Sequence, residues 1–146
     1  MPDPRVIHES RRRFLGITAS LVAGLLLPRR ASAAVAATAA RGGPHPKPRP
    51  GITAAKLLTA EQMKGRAAED AYEAVRAIPE VVDGIRCHCG CAELPGYYSL
   101  LSCYEGAEAM ALSCPICQGE GRMAARLHKD GKSLDEIREA LDAKYG

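Results

Sequence analysis

The residues with the most distinctive chemistry are six cysteines, which all fall between positions 87 and 117 of the 146-residue chain. They are Cys87, Cys89, Cys91, Cys103, Cys114 and Cys117. The first three occupy every second position of the sequence RCHCGC, and the last two form a C-P-I-C. Because thiolates bind soft metal ions and also exchange disulfides, the sequence points to metal binding or thiol chemistry.

The spacing of these cysteines suits a shared metal site. Cys114 and Cys117 lie three residues apart at a predicted helix start, so they share one face, and the positive end of the helix favours thiolate. A loop that contains Gly90 can turn three alternating thiols toward one point. We therefore predict a metal site built from all six cysteines, with His88 as an additional ligand.

Two other interpretations of the cysteines stay open at this stage. Six thiols could form three disulfides, as is common in exported proteins, although thiols two residues apart rarely pair with each other. Cys114 and Cys117 also have the spacing of a thiol–disulfide oxidoreductase, but the chain lacks the alternating strands and helices of thioredoxin-like folds. The usual attachment sequence of a c-type haem, C-x-x-C-H, is absent, because Gln118 rather than histidine follows Cys117.

The sulfur ligands narrow the choice of metal. Soft thiolates select copper(I), zinc or iron–sulfur clusters. One zinc ion is satisfied by four ligands, whereas six clustered thiolates suit a multinuclear copper(I) site, so we favour copper(I) and place zinc second. An iron–sulfur cluster is a weaker candidate, because C-x-C-x-C is an unusual sequence for holding one. Three methionines could add thioether ligands, but because they occupy predicted helical positions we interpret them as core residues: Met63, Met110 and Met123.

The remaining residues indicate a binding protein rather than an enzyme. The sequence contains no Ser/His/Asp arrangement and no glycine-rich phosphate loop, so we name no catalytic residue. Residues 1–50 hold nine of the 20 Lys and Arg residues and two of the 17 acids, so the rest of the chain is mildly acidic. That charge gives no basis for nucleic-acid binding. We predict metal storage, buffering or transfer, with a metal-delivery or membrane protein as partner.

An export signal is predicted at residues 1–33. Three arginines at positions 11–13 precede an apolar stretch, 14–27, which is too short for a typical membrane helix and suits a signal-peptide core. The sequence SRRRFLG resembles the twin-arginine export signal, and this resemblance implies a folded protein exported to the periplasm or another extracytoplasmic location. An ordinary secretory signal and an uncleaved membrane anchor are the alternatives.

Residues 34–51 are predicted to be a Pro-rich linker. Four prolines alternate there with His45, Lys47 and Arg49, which is typical of a semi-extended spacer. His45 could contact a metal, because histidine is a common metal ligand, but we interpret it as part of the spacer.

Residues 52–146 are predicted to form a small, mostly α-helical domain in which the cysteine-bearing loop packs on the N-terminus of the C-x-x-C helix. Thr59 with Gln62, and Ser133 with Glu136, have the spacing of capping boxes. The predicted helices run from Thr59 to Ala77, from Ser113 to Gly131 and from Leu134 to Lys144. Val81–Ile85 is predicted to be a turn because it contains Asp-Gly, and His128 is predicted to be solvated.

The cysteine pattern resembles the PCYCGC-motif family of bacterial exported proteins and lipoproteins. The likeness covers residues 78–146 and includes RCHCGC, SLLSCY, SCPIC and the GKSLDEI that opens the last helix. All six cysteines map onto the family pattern, while Arg86 and His88 stand where the motif has Pro and Tyr. The resemblance implies a cysteine-rich, metal-binding protein of the cell envelope and supplies no catalytic activity.

Overall fold

The structure, a computed structural model, describes residues 43–146, and their regular structure is helical. The α-helices are α1 (Ala60–Met63), α2 (Glu69–Arg76), α3 (Pro79–Asp83), α4 (Pro115–Lys129) and α5 (Leu134–Tyr145). The 3-10 helices are Ala54–Lys56, Cys91–Glu93, Leu100–Tyr104 and Met110–Leu112. Within this part of the chain there is no β-strand beyond one isolated bridge between Leu57 and Glu105. The predicted mostly α fold is therefore confirmed.

Local capping signals set two of the helix starts. The Thr59 hydroxyl accepts from the backbone N–H of Gln62, and the Gln62 side chain accepts from the backbone N–H of Thr59. Ser133 and Glu136 make the same reciprocal pair at the start of α5. Both predicted capping boxes are confirmed, because each depends on residues three apart and not on the rest of the fold.

The single helix predicted from Thr59 to Ala77 is wrong, since the structure has α1 and α2 with a break between them. Gly65 lies in the break with φ +75°, a left-handed conformation that ends a helix and that glycine adopts without strain. After the break, Ala68 is buried while its neighbour Ala67 is exposed.

Two further predicted boundaries need correction. Val81–Ile85 is not a simple turn, because Val81 to Asp83 belong to α3, which opens on Pro79 and ends before Gly84. Proline at a first helical position has the backbone angle a helix needs, and this outweighs the Asp-Gly turn signal. Helix α4 begins at Pro115, and not at Ser113 as predicted, and its N-cap residue is Cys114.

Helix α4 is the centre of the core. It packs against α2 and α5, and the rings of Tyr72 and Tyr104 meet edge to face with centroids 4.9 Å apart. The hydroxyl of Tyr104 donates to the backbone oxygen of Cys117 at 2.7 Å. Met63 is fully buried, and Met110 and Met123 pack partly buried against the core, as predicted. This core holds the start of α4 in a defined position.

The part of the predicted linker that the structure describes, residues 43–51, lies against the helical domain. Arg49 pairs with the fully buried carboxylate of Asp83, and its backbone N–H donates to the same group at 2.7 Å. The Tyr98 hydroxyl donates to the Lys47 carbonyl, and Arg138 donates to the Pro46 carbonyl. The export signal predicted at 1–33 lies outside the described residues. In the part that is described, no helix has the length and apolarity needed to cross a membrane.

Candidate metal centre

Five of the six cysteine sulfurs converge on one point of the fold. They belong to Cys87, Cys89, Cys91, Cys103 and Cys117, and all lie within 4.8 Å of one another. We call this set the five-sulfur cluster. All six cysteines are unpaired thiols in the structure, so the cluster is a set of free sulfur ligands.

The distances within the five-sulfur cluster show shared contacts rather than isolated pairs. Cys87, Cys89 and Cys117 form a triangle with sides of 3.3, 3.5 and 3.6 Å. Cys91 extends it, 3.1 Å from Cys89 and 2.9 Å from Cys103. Because most of these sulfurs have two or more sulfur neighbours, the arrangement fits ligands around a common centre better than three separate disulfides, whose sulfurs would be about 2.05 Å apart.

Three separate elements bring these sulfurs together. The loop after α3 carries the first two thiols and delivers Cys91 at the start of a 3-10 helix, after Gly90 turns the backbone with φ +89°. Cys103 comes from the 3-10 helix Leu100–Tyr104. The backbone N–H of Leu100 donates to the Ile85 carbonyl at 2.7 Å, and this hydrogen bond holds the 3-10 helix next to the start of the cysteine loop. Cys117 lies in the first turn of α4. The predicted packing of the loop on the C-x-x-C helix is confirmed.

Burial separates the thiols into an inner and an outer group. Cys87, Cys91, Cys103 and Cys117 are at most 3% exposed. Cys89 and Cys114 are partly exposed. The structure does not bring Cys114 into the five-sulfur cluster; it is the N-cap residue of α4, three residues before Cys117, and makes no side-chain capping hydrogen bond.

Without a metal ion, the inner thiols are held in their neutral form. The hydrogen bond with Cys103, together with burial, raises the pKa of the Cys117 thiol far above its ordinary value. The pKa of Cys103 is likewise raised: its hydrogen bond with Cys117 lowers it, but the hydrogen bond with Cys87 and burial outweigh that effect. Five thiolates so close together would repel one another, so a positive ion is required before they all lose their protons.

A buried carboxylate adjoins the cluster. Glu120 is fully buried and lies one turn after Cys117 on α4. The Cys87 thiol donates to its Oε2 at 3.1 Å, and the backbone N–H of His88 donates to its Oε1 at 3.0 Å. Glu120 therefore links the cysteine loop to α4 at the edge of the sulfur cluster.

His88 faces two carboxylates and not the sulfurs. Its Nδ1 contacts Glu120 Oε1, and its Nε2 lies 2.9 Å from Asp142 Oδ1. Since a carboxylate accepts, both ring nitrogens act as donors and the ring carries a positive charge. The hydrogen bond with Glu120 raises the pKa of His88, in agreement with that state. In this arrangement neither nitrogen has a lone pair for a metal, so ligation by His88 stays a prediction that would require the ring to turn.

His45 belongs to the same polar network. Its Nδ1 accepts from the backbone N–H of Arg86 at 3.0 Å, and its Nε2 donates to Asp142 Oδ1 at 3.0 Å. Burial lowers the pKa of His45, which fits a neutral ring with one donor and one acceptor. Asp142 thus accepts from two histidines and joins the N-terminal segment to the cysteine loop.

Glu120 and Asp142 are the residues near the site that the sequence did not reveal. Glu120 follows Cys117 by three residues, so the pattern C-x-x-C-x-x-E along α4 was a signal available in the sequence. Nothing in the sequence marks Asp142, which reaches His88 only through the packing of α5. His128 is exposed, as predicted.

The arrangement is one that can hold a soft metal ion. For a Zn–S bond of about 2.3 Å, the sulfurs of a tetrahedral site lie about 3.8 Å apart. The contacts of 2.9–3.6 Å in the cluster are slightly shorter, so small outward movements of the sulfurs would make room for an ion. The fold and site together define a small helical, cysteine-rich domain with a buried thiol cluster.

Comparison with known proteins places the chain in a family. Residues 53–146 match the model of a family described as "Protein of unknown function with PCYCGC motif". Because this match covers well over half of the chain, the protein belongs to that family. The match begins further toward the N-terminus than the likeness read from the motifs alone. No curated protein and no solved structure matches the chain.

Both departures from the family motif take part in the polar network. Arg86 stands at the position of the motif's Pro, and its backbone N–H, which proline lacks, donates to His45. His88 stands at the position of the Tyr and bridges Glu120 and Asp142. The two departures are therefore linked in space through Asp142 and His45.

Proposed function

We propose that the five-sulfur cluster binds a soft metal ion, copper(I) in the first place and zinc in the second, and that the protein stores, buffers or hands on that ion. The observation that carries this proposal is the convergence of five unpaired cysteine sulfurs within 4.8 Å. No other group of donors is needed, because thiolates alone suffice for either metal.

Copper(I) is favoured over zinc by the number and connectivity of the sulfurs. One zinc ion takes four ligands and would leave part of the cluster unused. Copper(I) ions can share bridging thiolates, and the triangle of Cys87, Cys89 and Cys117 with Cys91 and Cys103 attached suits such sharing. An iron–sulfur cluster comes third, because the C-x-C-x-C loop is an unusual holder for it.

The place of action in this proposal is outside the cytoplasm. Its support is the signal-like sequence of residues 1–33 and the resemblance of SRRRFLG to a twin-arginine signal, which suits export of a protein already loaded with its ion. A metal-delivery or membrane protein would then supply or receive the ion.

Thiol–disulfide exchange through Cys114 and Cys117 is the enzymatic alternative. Cys114 is partly exposed, but exchange also requires Cys117 to pair with it, and Cys117 is fully buried, has a raised pKa and lies among the four other sulfurs of the five-sulfur cluster. A third possibility is a scaffold held by three disulfides. Four of the five clustered thiols would then have to form two pairs, and the fifth would have to pair with Cys114. Metal binding is the better account of the geometry.

Elemental analysis with thiol counting tests the proposal. The full chain is produced in a cell that exports it, purified without chelators, and assayed for copper, zinc and iron. We expect at least one copper or zinc ion per chain, with thiols that react only after the ion is removed. Absence of both metal and reactive thiols would show a disulfide scaffold and overturn the proposal.

A further inference from the structure

We propose that Cys114 is the exchange ligand of this site, through which the metal ion passes between the buried five-sulfur cluster and an external soft ligand. The inference rests on the proposed function and adds a division of labour among the six thiols. Five hold the ion, and the sixth moves it.

The burial of the cluster creates the need for such a ligand. Four of its five sulfurs belong to residues that are at most 3% exposed. Cys89, the partly exposed member, contacts three other sulfurs of the cluster, those of Cys87, Cys91 and Cys117. If Cys89 left the cluster to deliver an ion, all three of these contacts would be lost. A thiol outside the cluster can deliver the ion without that cost.

Cys114 has the position that this role requires. It is partly exposed and is the N-cap residue of α4, three residues before Cys117, so the two side chains lie on the same side of the helix start. Cys117 in turn lies 3.6 Å from Cys87 and 3.5 Å from Cys89. Cys117 therefore joins the cluster to the first turn of α4, where the partly exposed Cys114 stands.

The start of α4 adds two features to this arrangement. The N-terminus of a 15-residue helix favours negative charge, such as that of a thiolate–metal complex. Pro115 and Ile116 are exposed beside Cys114, and Ile116 is 37% exposed. A thiolate-bearing partner thus has an open approach to Cys114 and not to the inner sulfurs.

The exchange step balances without any oxidant or reductant. The ion forms a bond to the sulfur of Cys114, whose proton passes to solvent, and breaks its bond to a cluster sulfur other than Cys117, which takes up a proton. Two soft ligands of the acceptor, thiolates in a protein partner, then replace Cys117 and finally Cys114, and each of these sulfurs takes up a proton as it leaves. The ion keeps its charge throughout, so only ligands are exchanged.

Metal transfer from a Cys114→Ser variant tests the inference. Full-length wild type, C114S and the neighbouring control Ser113→Ala are loaded with copper(I) without oxygen. The number of bound ions is measured, and transfer to excess bathocuproine disulfonate, a coloured copper(I) chelator, is followed by stopped-flow absorbance. We expect C114S to bind as many ions as wild type and to release them at about one tenth of the wild-type rate or below, since ligand exchange depends on the access of the incoming ligand and of the leaving sulfur.

Three other results would overturn the inference, and each has a different meaning. Equal transfer rates for C114S and wild type would show that Cys114 has no part in exchange. Fewer ions bound by C114S would show that Cys114 is an ordinary ligand of the cluster. If wild type binds no ion, the proposed function itself fails and this inference fails with it.

Discussion

At the scale of single residues, the main feature of the site is that most sulfurs of the five-sulfur cluster contact two or more other sulfurs. Cys91 contacts Cys89 and Cys103, and Cys89 contacts Cys87 and Cys117. Removing one of these sulfurs should therefore affect the binding of ions held mainly by the others.

Cys103→Ser should reduce both the number of ions bound and the affinity of those that remain. Cys103 is fully buried and lies 2.9 Å from Cys91, and an alcohol is a poor ligand for soft metals. The loss of affinity should exceed the roughly tenfold change that a residue outside the ligand set commonly causes. Competition with a chelator measures it, with Ser113→Ala as the control. Unchanged ion number and affinity would remove Cys103 from the site.

His88 stabilises the domain in our account, whether or not metal is bound. His88→Ala would remove the positively charged partner of the fully buried Glu120 carboxylate. We expect the free energy of unfolding to fall by about 3 kcal/mol, as for other broken buried ion pairs. Denaturant unfolding of metal-free, reduced protein measures this change.

The control for that experiment is His128→Ala, because His128 is exposed on the same domain. It should change the free energy of unfolding by less than about 0.5 kcal/mol. Equal stability of the two variants would contradict the charged bridge between His88, Glu120 and Asp142.

At the scale of elements, α4 carries one side of the site and depends on close packing against α2. A Cβ on Gly121 would come 2.7 Å from Val75 Cγ2 and still closer to the Tyr104 hydroxyl. That hydroxyl also binds the Cys117 carbonyl. The absence of a side chain at Gly121 therefore sets how near α4, and with it Cys117, lies to the rest of the core.

Gly121→Ala should destabilise the protein although alanine is the better helix former. We expect a loss of about 1–3 kcal/mol, because Tyr104 and Val75 are both fully buried and have little room to move. Gly119→Ala on the same helix is the matched control, since its new Cβ would meet the end of the partly buried Tyr145 side chain. If thermal unfolding ranks Gly119→Ala as the more damaging change, the described α2–α4 contact is incorrect.

The elements also show which structure could be predicted from sequence. The capping boxes at Thr59 and Ser133 depend on residues three apart, so they were predicted correctly. The break at Gly65 was missed, because an isolated glycine in an apolar pattern is also compatible with a continuous helix. Helix α3 was missed because the Asp-Gly turn signal and the helix-starting Pro79 compete within a few residues.

At the scale of the whole molecule, the site results from long-range contacts. Spacing alone predicted that Cys117 and the cysteine loop would meet. It could not separate Cys114 from the other five, because that separation depends on how α4 is oriented in the core. The positions of Glu120 and Asp142 next to His88 likewise follow from the packing of α4 and α5 against the loop.

The N-terminal segment contributes to stability through Arg49 and Asp83, and this contribution should depend on pH. Burial alone would raise the pKa of Asp83, but the hydrogen bonds from Arg49 and Ser99 outweigh it and hold the pKa below its ordinary value. A depressed pKa stabilises the fold at every pH above the unfolded value of about 3.9 and is lost as the pH falls through the lower, folded value.

Asp83→Asn should therefore be less stable than wild type at neutral pH, with the difference shrinking below about pH 4. Urea unfolding of the metal-free protein between neutral and acid pH measures this convergence. The exposed Asp130→Asn serves as control and should follow wild type at each pH. A difference between Asp83→Asn and wild type that stays constant into acid would show that the Asp83 charge does not stabilise the fold.

The central claim is that clustered cysteine sulfurs bind the metal ion, and X-ray absorption at the metal edge tests it most directly. The full chain is loaded with copper(I), and in a second sample with zinc, and the nearest shell of ligand atoms is determined. We predict a shell of sulfur atoms alone, at about 2.3 Å for zinc. A shell dominated by nitrogen or oxygen, or ions that wash away during purification, would contradict the claim.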